Sequence, residues 1–475
     1  MSLPEPGIET IVAISTPPGR GGIGIVRLSG PEAVTIAGGL VRMTHPPEHA
    51  RARRARVIDP NDSYATIDDA LTTIFLAPHS YTGETLVEIA AHGSPVVLEA
   101  MVRAALGMGA RLAHAGEFTQ RAFFSGRLDL TQAEAVHDLI AAQTLDQARV
   151  AAQQMGGAIS QRVTPAKGAL LHLIALLEAG MDFASGELDD VDIVPPAQIA
   201  AAIANVHEPL AALAASFRRG QLLRNGAAIA LIGPPNAGKS SLFNRLLERE
   251  RAIVTPLPGT TRDTVEESLS LGGIPLRLID TAGLRNGTEQ NEPIDAAEQQ
   301  GIARSHEALA DADLVLLIHD ATQPITVSEL RVAASLTAPG LARSHLVVHN
   351  KVDLLSADTE MNSVTTEPQS GANTILTSAL TGEGLTQLRN EILAQLGASG
   401  SLAESGALNN FRQQEAVSAT LAALSAAAAA NDSGLPHELI LMDLHNALRA
   451  LDSLTGATTP DDILARIFST FCIGK

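Results

Sequence analysis

Gly233-Pro234-Pro235-Asn236-Ala237-Gly238-Lys239-Ser240 has the form Gly-x-x-x-x-Gly-Lys-Ser, and its flanks say how it folds. Ahead of it, Ala227-Ala228-Ile229-Ala230-Leu231-Ile232 is an uninterrupted apolar run, the pattern of a parallel strand buried on both faces. Behind it, Leu242, Leu246 and Leu247 recur at helical spacing. Strand, glycine-rich turn and helix make a phosphate loop. Backbone N–H groups of the turn point at phosphate oxygens, and the helix N-terminus adds positive potential. Asn236, Ala237, Gly238, Lys239, Ser240 and Ser241 would line the phosphates, with Lys239 reaching the β/γ pair and the Ser240 hydroxyl on Mg²⁺. The alternative is an ordinary strand–helix turn with a chance Gly-Lys-Ser, and the segments that follow argue against it.

Working outward, Thr255-Pro256-Leu257-Pro258-Gly259-Thr260-Thr261-Arg262-Asp263 is a loop in which a threonine can complete a Mg²⁺ shell. Val265–Leu271, Gly272-Gly273 and Ile274–Ile279 read as a hairpin that ends at Asp280-Thr281-Ala282-Gly283. A carboxylate at that strand end meets Mg²⁺ through water, and Gly283 can turn its N–H towards a γ-phosphate. Further strands are expected at Leu314–Ile318, at His345–His349 running into Asn350-Lys351-Val352-Asp353, and at Ile375 into Ser378-Ala379-Leu380. An aspartate at 353 accepts both N1–H and the 2-amino group of guanine, whereas adenine has neither proton, so GTP is the expected nucleotide. The five motifs together resemble the translation-factor-related class of GTPases. Where Ras-type enzymes place a water-orienting glutamine after Asp-x-x-Gly, this chain has Leu284. Asn236, inside the phosphate loop, reads either as a turn former or as a ligand to a K⁺ beside the β/γ-phosphates.

The whole chain bounds the rest. At 475 residues about three domains are expected. The single cysteine, Cys472, leaves no internal disulfide and fits a reducing compartment. The start of the chain lacks a basic stretch followed by an apolar one, and no run of apolar residues is long enough for a span, so a cytoplasmic protein without membrane contact is expected. A net charge of −19 and the absence of Trp argue against a broad nucleic-acid surface, so any RNA contact is local or supplied by a partner.

Residues 1–128 are mixed, with strand-like runs at Ile11–Ile14, Ile23–Leu28, Ala70–Phe75 and Leu86–Ala90. Helical character runs over 129–222, where Thr131 and Glu134 read as a capping box. The nucleotide block covers 223–396, and helices resume over 397–475 after a Gly/Ala/Ser linker. The simplest arrangement is a nucleotide domain inserted into a helical one. Thr459 with Pro460 reads as the start of a last helix, with Ile463, Leu464, Ile467, Phe468 and Phe471 on one face. That helix delivers Cys472 and Lys475 to a fixed place. As a lone cysteine, Cys472 reads equally as a buried space-filling thiol or as a chemical group.

Three further segments carry a resemblance: Ile11-Val12-Ala13-Ile14-Ser15-Thr16-Pro17-Pro18-Gly19-Arg20-Gly21-Gly22-Ile23-Gly24-Ile25-Val26-Arg27-Leu28-Ser29-Gly30, Gly116-Glu117-Phe118-Thr119-Gln120-Arg121-Ala122-Phe123 with Arg127–Ala135, and Phe471-Cys472-Ile473-Gly474-Lys475. With the nucleotide motifs they resemble the bacterial tRNA modification GTPase MnmE (TrmE) family over essentially the full length. The resemblance implies an α/β multidomain fold. Its parts are an N-terminal α+β folate-binding-like and dimerising domain, an all-α helical domain, and an inserted Ras-like P-loop GTPase domain with a mixed, mostly parallel sheet. It implies a homodimer that acts with the flavoprotein MnmG (GidA), FAD being held by the partner alone. The pair adds an aminomethyl or carboxymethylaminomethyl group at C5 of the wobble uridine of certain tRNAs, the carbon coming from a 5,10-methylene- or 5-formyl-tetrahydrofolate.

Carried residue by residue, the resemblance puts folate contacts at Arg27, Glu88, Arg127 and Lys475. K⁺ ligands fall at Asn236, Thr255, Leu257 (through its carbonyl) and Thr260, Mg²⁺ ligands at Ser240 and Thr261, and an essential thiol at Cys472. A catalytic glutamate is implied shortly after Asp280-Thr281-Ala282-Gly283, where this chain is longer than the family pattern. Counting back from Gly301-Ile302-Ala303-Arg304 gives Glu298, which is preferred because the helix is the firmer anchor; counting forward gives Glu292, and Glu289 is a third choice. Two other classes compete: an RNA-binding assembly switch, which a basic tail would favour, and a folate-dependent methyltransferase with a regulatory nucleotide domain.

Overall fold

In the computed structural model the described residues are 9–46, 48–59, 65–184, 194–247, 267–280, 312–337, 344–355, 374–398 and 406–474. They fall in two compact units: residues 1–137 with 154–207 and 416–475, and residues 138–153 with 208–415.

The first unit begins with β1 (Ile11–Ile14), β2 (Gly21–Ser29), α1 (Ala33–Leu40), β3 (Val41–Met43), β4 (Arg53–Ile58), β5 (Thr66–Phe75), β6 (Leu86–Gly93), α2 (Pro95–Gly107), β7 (Arg111–Leu112) and α3 (Glu117–Phe124). The sheet order is β3-β4-β5-β6-β2-β1-β7, antiparallel except for the β1–β7 pair. Alternate residues such as Val26, Leu28, Val87 and Ile89 point to a core closed by Leu98 and Met101 of α2. The four expected strands are present. The arginine-rich β4 was missed, because its apolar residues Ala55 and Val57 alternate with Arg54 and Arg56 and leave little hydrophobic signal.

Helices follow: α4 (Leu130–Ala141), α5 (Leu145–Met155), α6 (Ala158–Ala184), α7 (Pro196–Ala215) and α8 (Phe217–Asn225). The expected capping box at Thr131 and Glu134 is displaced. Asp129 is the cap: its Oδ1 accepts from Gln132 N at 2.9 Å, and Gln132 Oε1 accepts from Asp129 N at 2.9 Å. Leu130 is fully buried, so helix and core begin together one residue after Asp129. The stretch Pro196–Asn225 is long and apolar enough to cross a membrane by length and composition alone, although it holds no unbroken apolar run of that length. Its Ile199, Ile203, Val206, Leu210 and Leu213 are instead buried against protein at helical spacing.

The second unit's sheet is built from β8 (Ala227–Ile232), α9 (Lys239–Leu247), β9 (Glu267–Leu271), β10 (Ile274–Asp280), β11 (Leu314–Asp320), α10 (Val327–Thr337), β12 (His345–Asn350), β13 (Thr374–Leu376) and α11 (Leu385–Gln395). Its order is β13-β12-β11-β8-β10-β9, parallel apart from the β9–β10 hairpin. All six residues of β8 are buried, as its apolar run requires at the sheet centre. A central strand leading through a glycine-rich loop into a helix, on a parallel sheet with an antiparallel edge hairpin, is a P-loop GTPase-like fold.

The chain closes with α12 (Phe411–Asp432), α13 (His437–Thr455) and α14 (Asp461–Ser469). Thr459 does not cap α14: Pro460 holds the cap position, and the Thr459 hydroxyl donates to Ser453 O at 3.2 Å. Leu464, Phe468 and Phe471 pack on Leu130, Ala133 and Val136 of α4, while Ile463 lies exposed and drops out of the expected face.

Candidate functional site

The loop after β8 is built by contacts that leave no room for side chains. Gly238 has φ +88°, and a Cβ on it would lie 2.2 Å from Asn350 Nδ2. Asn236 also takes a positive φ of 65°, in the left-handed region that Asn tolerates better than most residues. Lys239 is buried, and its Nζ donates to Gly233 O at 2.8 Å and Pro234 O at 2.9 Å, across the mouth of the loop. Ser240 and Ser241 begin α9 on its exposed side, next to backbone N–H groups of the first turn. Asn236 and Ser240 are oxygen donors of the kind hard cations take. Both lie in the described loop, so this part of the expected Mg²⁺ and K⁺ set fits.

Asn350, at the end of β12, is 1% exposed and stitches two loops together. Its Nδ2 donates to Ala237 O at 3.0 Å, and its Oδ1 accepts from Ala379 N at 3.0 Å. The phosphate loop and the Ser378-Ala379-Leu380 loop are thereby fixed to one side chain. Lys351 follows at φ +67°, and its Nζ bonds Asp320 Oδ2 at 2.6 Å. Burial pushes the Asp320 carboxyl up, but hydrogen bonds from Lys351 and Thr322 outweigh it and hold the group below its ordinary value. Val352–Leu354 form a short 3₁₀ turn that leaves Asp353 half-buried. Ser378 is fully buried with its Oγ accepting from Thr381 N at 3.0 Å, and Leu380 is exposed. Asp280 ends β10 beside Leu231 of β8, which puts it at the same sheet edge as the phosphate loop.

A second constellation lies in the first unit, around Arg27 of β2. Arg27 Nη2 and Nε donate to Glu88 Oε1 of the neighbouring β6 at 2.7 and 3.0 Å. The guanidinium lies 5.5 Å from the Phe118 ring centre and 5.8 Å from that of Tyr81. The Tyr81 hydroxyl shares a 2.9 Å hydrogen bond with Thr119, and burial pushes its phenol up against the opposing pull of Thr119 and Arg27. Under this layer Arg121 is buried between Glu84 (2.8 Å) and Glu117 (3.0 Å), and Glu117 also takes Arg111 at 2.6 Å.

The chain's last described residues reach this place. Ile473 bridges Ala115 in antiparallel fashion, and Gly116 N donates to Cys472 O at 3.4 Å. The Gly474 carbonyl accepts from Ser15 Oγ at 2.9 Å and from Arg27 Nη1 at 3.4 Å. Gly474 sits at φ +95°, with the Ile14 carbonyl oxygen 2.3 Å from where a Cβ would stand. Cys472 is exposed, so the space-filling reading of its thiol falls.

Of the expected residues, Arg27 and Glu88 stand together in the first unit with Cys472 on the chain's last turn, and Asn236–Ser241, Asp280, Asn350–Asp353 and Ser378–Leu380 follow the ends of the second unit's parallel strands. Arg127 is exposed on the loop after α3. Thr255, Pro256, Leu257, Pro258, Gly259, Thr260, Thr261, Thr281, Ala282, Gly283, Glu289, Glu292, Glu298 and Lys475 lie outside the described residues. Sequence reasoning missed Ser15, Tyr81, Phe118 and Asp320. Ser15 and Phe118 sit inside segments already quoted for resemblance, and that placement was the available signal.

A family model described as the MnmE helical domain matches residues 130–472, and one described as the GTP-binding protein TrmE N-terminus matches residues 10–127. The tRNA modification GTPase MnmE of Koribacter versatilis is 52% identical over 470 residues, spanning 98% of this chain and 99% of the relative. That of Nitrosomonas europaea is 42% identical over 468 residues, with the same coverage of 98% and 99%. Among solved structures, the G domain of the T. maritima FeoB iron transporter is 27% identical, covering 36% of this chain and 98% of that one at a TM-score of 0.25.

Proposed function

The chain belongs to the tRNA modification GTPase MnmE family, and we propose that it is a K⁺-activated GTP hydrolase that modifies C5 of wobble uridine with a tetrahydrofolate-borne carbon. The observation that supports the folate part is the bond from Arg27, the partner of Glu88, to the Gly474 carbonyl, two residues after the exposed thiol of Cys472. Glu88 offers an acceptor for a pterin edge, and Arg27 and exposed Arg127 offer positive charge for an anionic tail, with Lys475 next in the chain. Tetrahydrofolate would supply the one-carbon unit. Mg²⁺ at Ser240 and Thr261 and K⁺ at Asn236, Thr255, Leu257 and Thr260 would offset phosphate charge, in a chain where Leu284 cannot orient water. Glu298 is the proposed base, with Glu292 as the alternative. A homodimer working with the flavoprotein MnmG in the cytoplasm, and a helical domain split over 129–222 and 397–475, complete the reading.

The test is mass spectrometry of wobble uridine in tRNA from a deletion strain carrying the parent or Cys472→Ser. Modification is expected with the parent and absent with the variant. In parallel, hydrolysis is expected to run faster in K⁺ than in Na⁺, and Asn236→Ala to flatten that difference. Full modification by Cys472→Ser would remove the thiol from the chemistry, and equal rates in the two salts would remove K⁺.

A further inference from the structure

Behind the guanine loop lies a buried histidine pair that none of the nucleotide motifs uses. His319 of β11 stands opposite His349 of β12 in parallel register, with the ring centres 5.1 Å apart and nearly perpendicular. Both are buried, at 6% and 5% exposure. Each immediately precedes a residue of the nucleotide site: His319 precedes Asp320, which holds Lys351, and His349 precedes Asn350.

The partners of His319 fix its protonation. Its Nε2 lies 3.0 Å from the Gln323 backbone carbonyl oxygen, which can only accept, so Nε2 carries a proton. Its Nδ1 lies 2.8 Å from Glu329 Oε1. Glu329 is an acceptor too: its Oε2 takes the Thr326 N–H at 2.8 Å and the Thr326 hydroxyl at 2.7 Å, closing a capping box at the start of α10. Hydrogen bonds from Thr326 and His319 outweigh burial and hold the Glu329 carboxyl below its ordinary value. With acceptors on both nitrogens the ring is an imidazolium.

The Nε2 bond closes the turn that carries Asp320. Within that turn Gln323 N donates to Asp320 O at 3.0 Å, Thr322 N and Oγ1 donate to Asp320 Oδ1 at 3.0 and 2.7 Å, and Ala321 N donates to Asn350 O at 2.9 Å. Asp320 Oδ2 is then left pointing at Lys351, whose left-handed backbone needs an anchor.

We infer that His319 is a positioning residue for guanine recognition, a buried imidazolium that pins the Asp320–Gln323 turn and through Asp320 the Lys351 step of the guanine loop. The groups facing it are Glu329 from α10 and His349 from β12, with Asp320 and Lys351 beyond the turn. Glu329 balances its charge, and burial, followed by the neighbouring His319 charge, holds His349 below its ordinary value. Loss of either bond frees one end of the ring, and the turn loosens. The inference rests on reading Asn350–Asp353 as the guanine loop.

The test uses the full-length protein. In the parent, ¹⁵N spectra at neutral pH show both His319 ring nitrogens protonated, since each faces an acceptor. His319→Gln, whose one amide nitrogen cannot serve both Gln323 O and Glu329, raises KM about tenfold with a much smaller change in kcat. Asp353→Asn is measured beside it, with xanthosine triphosphate as the competing nucleotide. A His319 ring with one protonated nitrogen, or a His319→Gln KM equal to the parent's while Asp353→Asn shifts base preference, overturns the inference and leaves the guanine loop standing. Unchanged base preference in Asp353→Asn takes down the guanine loop and the inference together. The parent spectra decide the matter even if the variant does not fold.

Discussion

The nucleotide loop and the Arg27 constellation both face an anion in the proposed function, yet they are made of different materials. In the second unit the work falls to backbone: Lys239 lies on two loop carbonyls, and Gly238 lets Asn350 close onto Ala237 O. In the first unit it falls to side chains: Arg27 on Glu88, then Arg121 between Glu84 and Glu117, then Arg111 on Glu117 and Glu9. A backbone site is sensitive to added atoms. A stacked ion-pair site is sensitive to removed charges, because a deletion leaves a buried partner short of a counter-charge.

Removing one charge from the stack should therefore have the largest effect. Arg121→Met keeps the volume, removes the ion-pair partner given for Glu84 (19% side-chain exposure), and leaves the buried Glu117 (2%) with Arg111 as its cation. A loss of about 3 kcal/mol is expected, confined to the first unit. Amide exchange should accelerate in α3 and β6 and stay slow in β8 and β11. Equal loosening of β8 would break the comparison, since it would mean that the stack supports both units.

Adding one carbon to the backbone site should come next. Gly238→Ala puts a methyl 2.2 Å from Asn350 Nδ2 at a φ of +88°, and Asn350 cannot retreat without breaking its bonds to Ala237 and Ala379. Affinity for a fluorescent GDP analogue should fall about 100-fold or more. Amide exchange at Gly116, which reports the docked tail, should not change. Nucleotide binding within a few-fold of the parent would show that the close approach at Gly238 is not what shapes the loop.

The same contrast explains what the sequence disclosed. Each nucleotide motif is continuous in the chain, because backbone turns are local, so Gly233–Ser240 and Asn350–Asp353 could be read with their strands. The Arg27 site joins Ser15, Arg27, Glu88, Phe118 and Gly474, and the Ser15–Gly474 bond spans 459 positions. No spacing rule reaches that far, and only the resemblance named Arg27, Glu88 and Cys472. Tyr81 and Phe118 stayed hidden because they act through ring contact with Arg27, which leaves no pattern in the sequence around them. The cap of α4 was misplaced for a related reason: Asp129–Gln132 and Thr131–Glu134 have equal spacing, and only the burial of Leu130 chooses between them. His319 lay just past the expected Leu314–Ile318 strand, and only the register pairs it with His349.

The smallest expected effect separates the two regions by pH. In the second unit burial and then the His319 charge push His349 below its ordinary value of 6.5. Above that value the ring is neutral both folded and unfolded, and contributes no slope. Below it the unfolded chain takes up a proton that the folded chain resists, so the unfolded state binds more protons and stability falls as the pH falls. In the first unit the perturbed groups include Glu117, whose burial raises it but whose bonds to Arg111, the His114 N–H and Arg121 hold it below 4.5. Its contribution is intact through neutral and mildly acid pH and is lost only as the carboxylate protonates. Between these values the second unit should lose protection first, seen as faster exchange in β11 and β12 at pH just under 6.5 while α3 is unchanged. His349→Gln should erase that early loss. His319→Gln should weaken it, because the neighbouring cation is one of its causes. If α3 and β12 lose protection together, or the early loss survives His349→Gln, the acid response belongs to groups other than the buried pair.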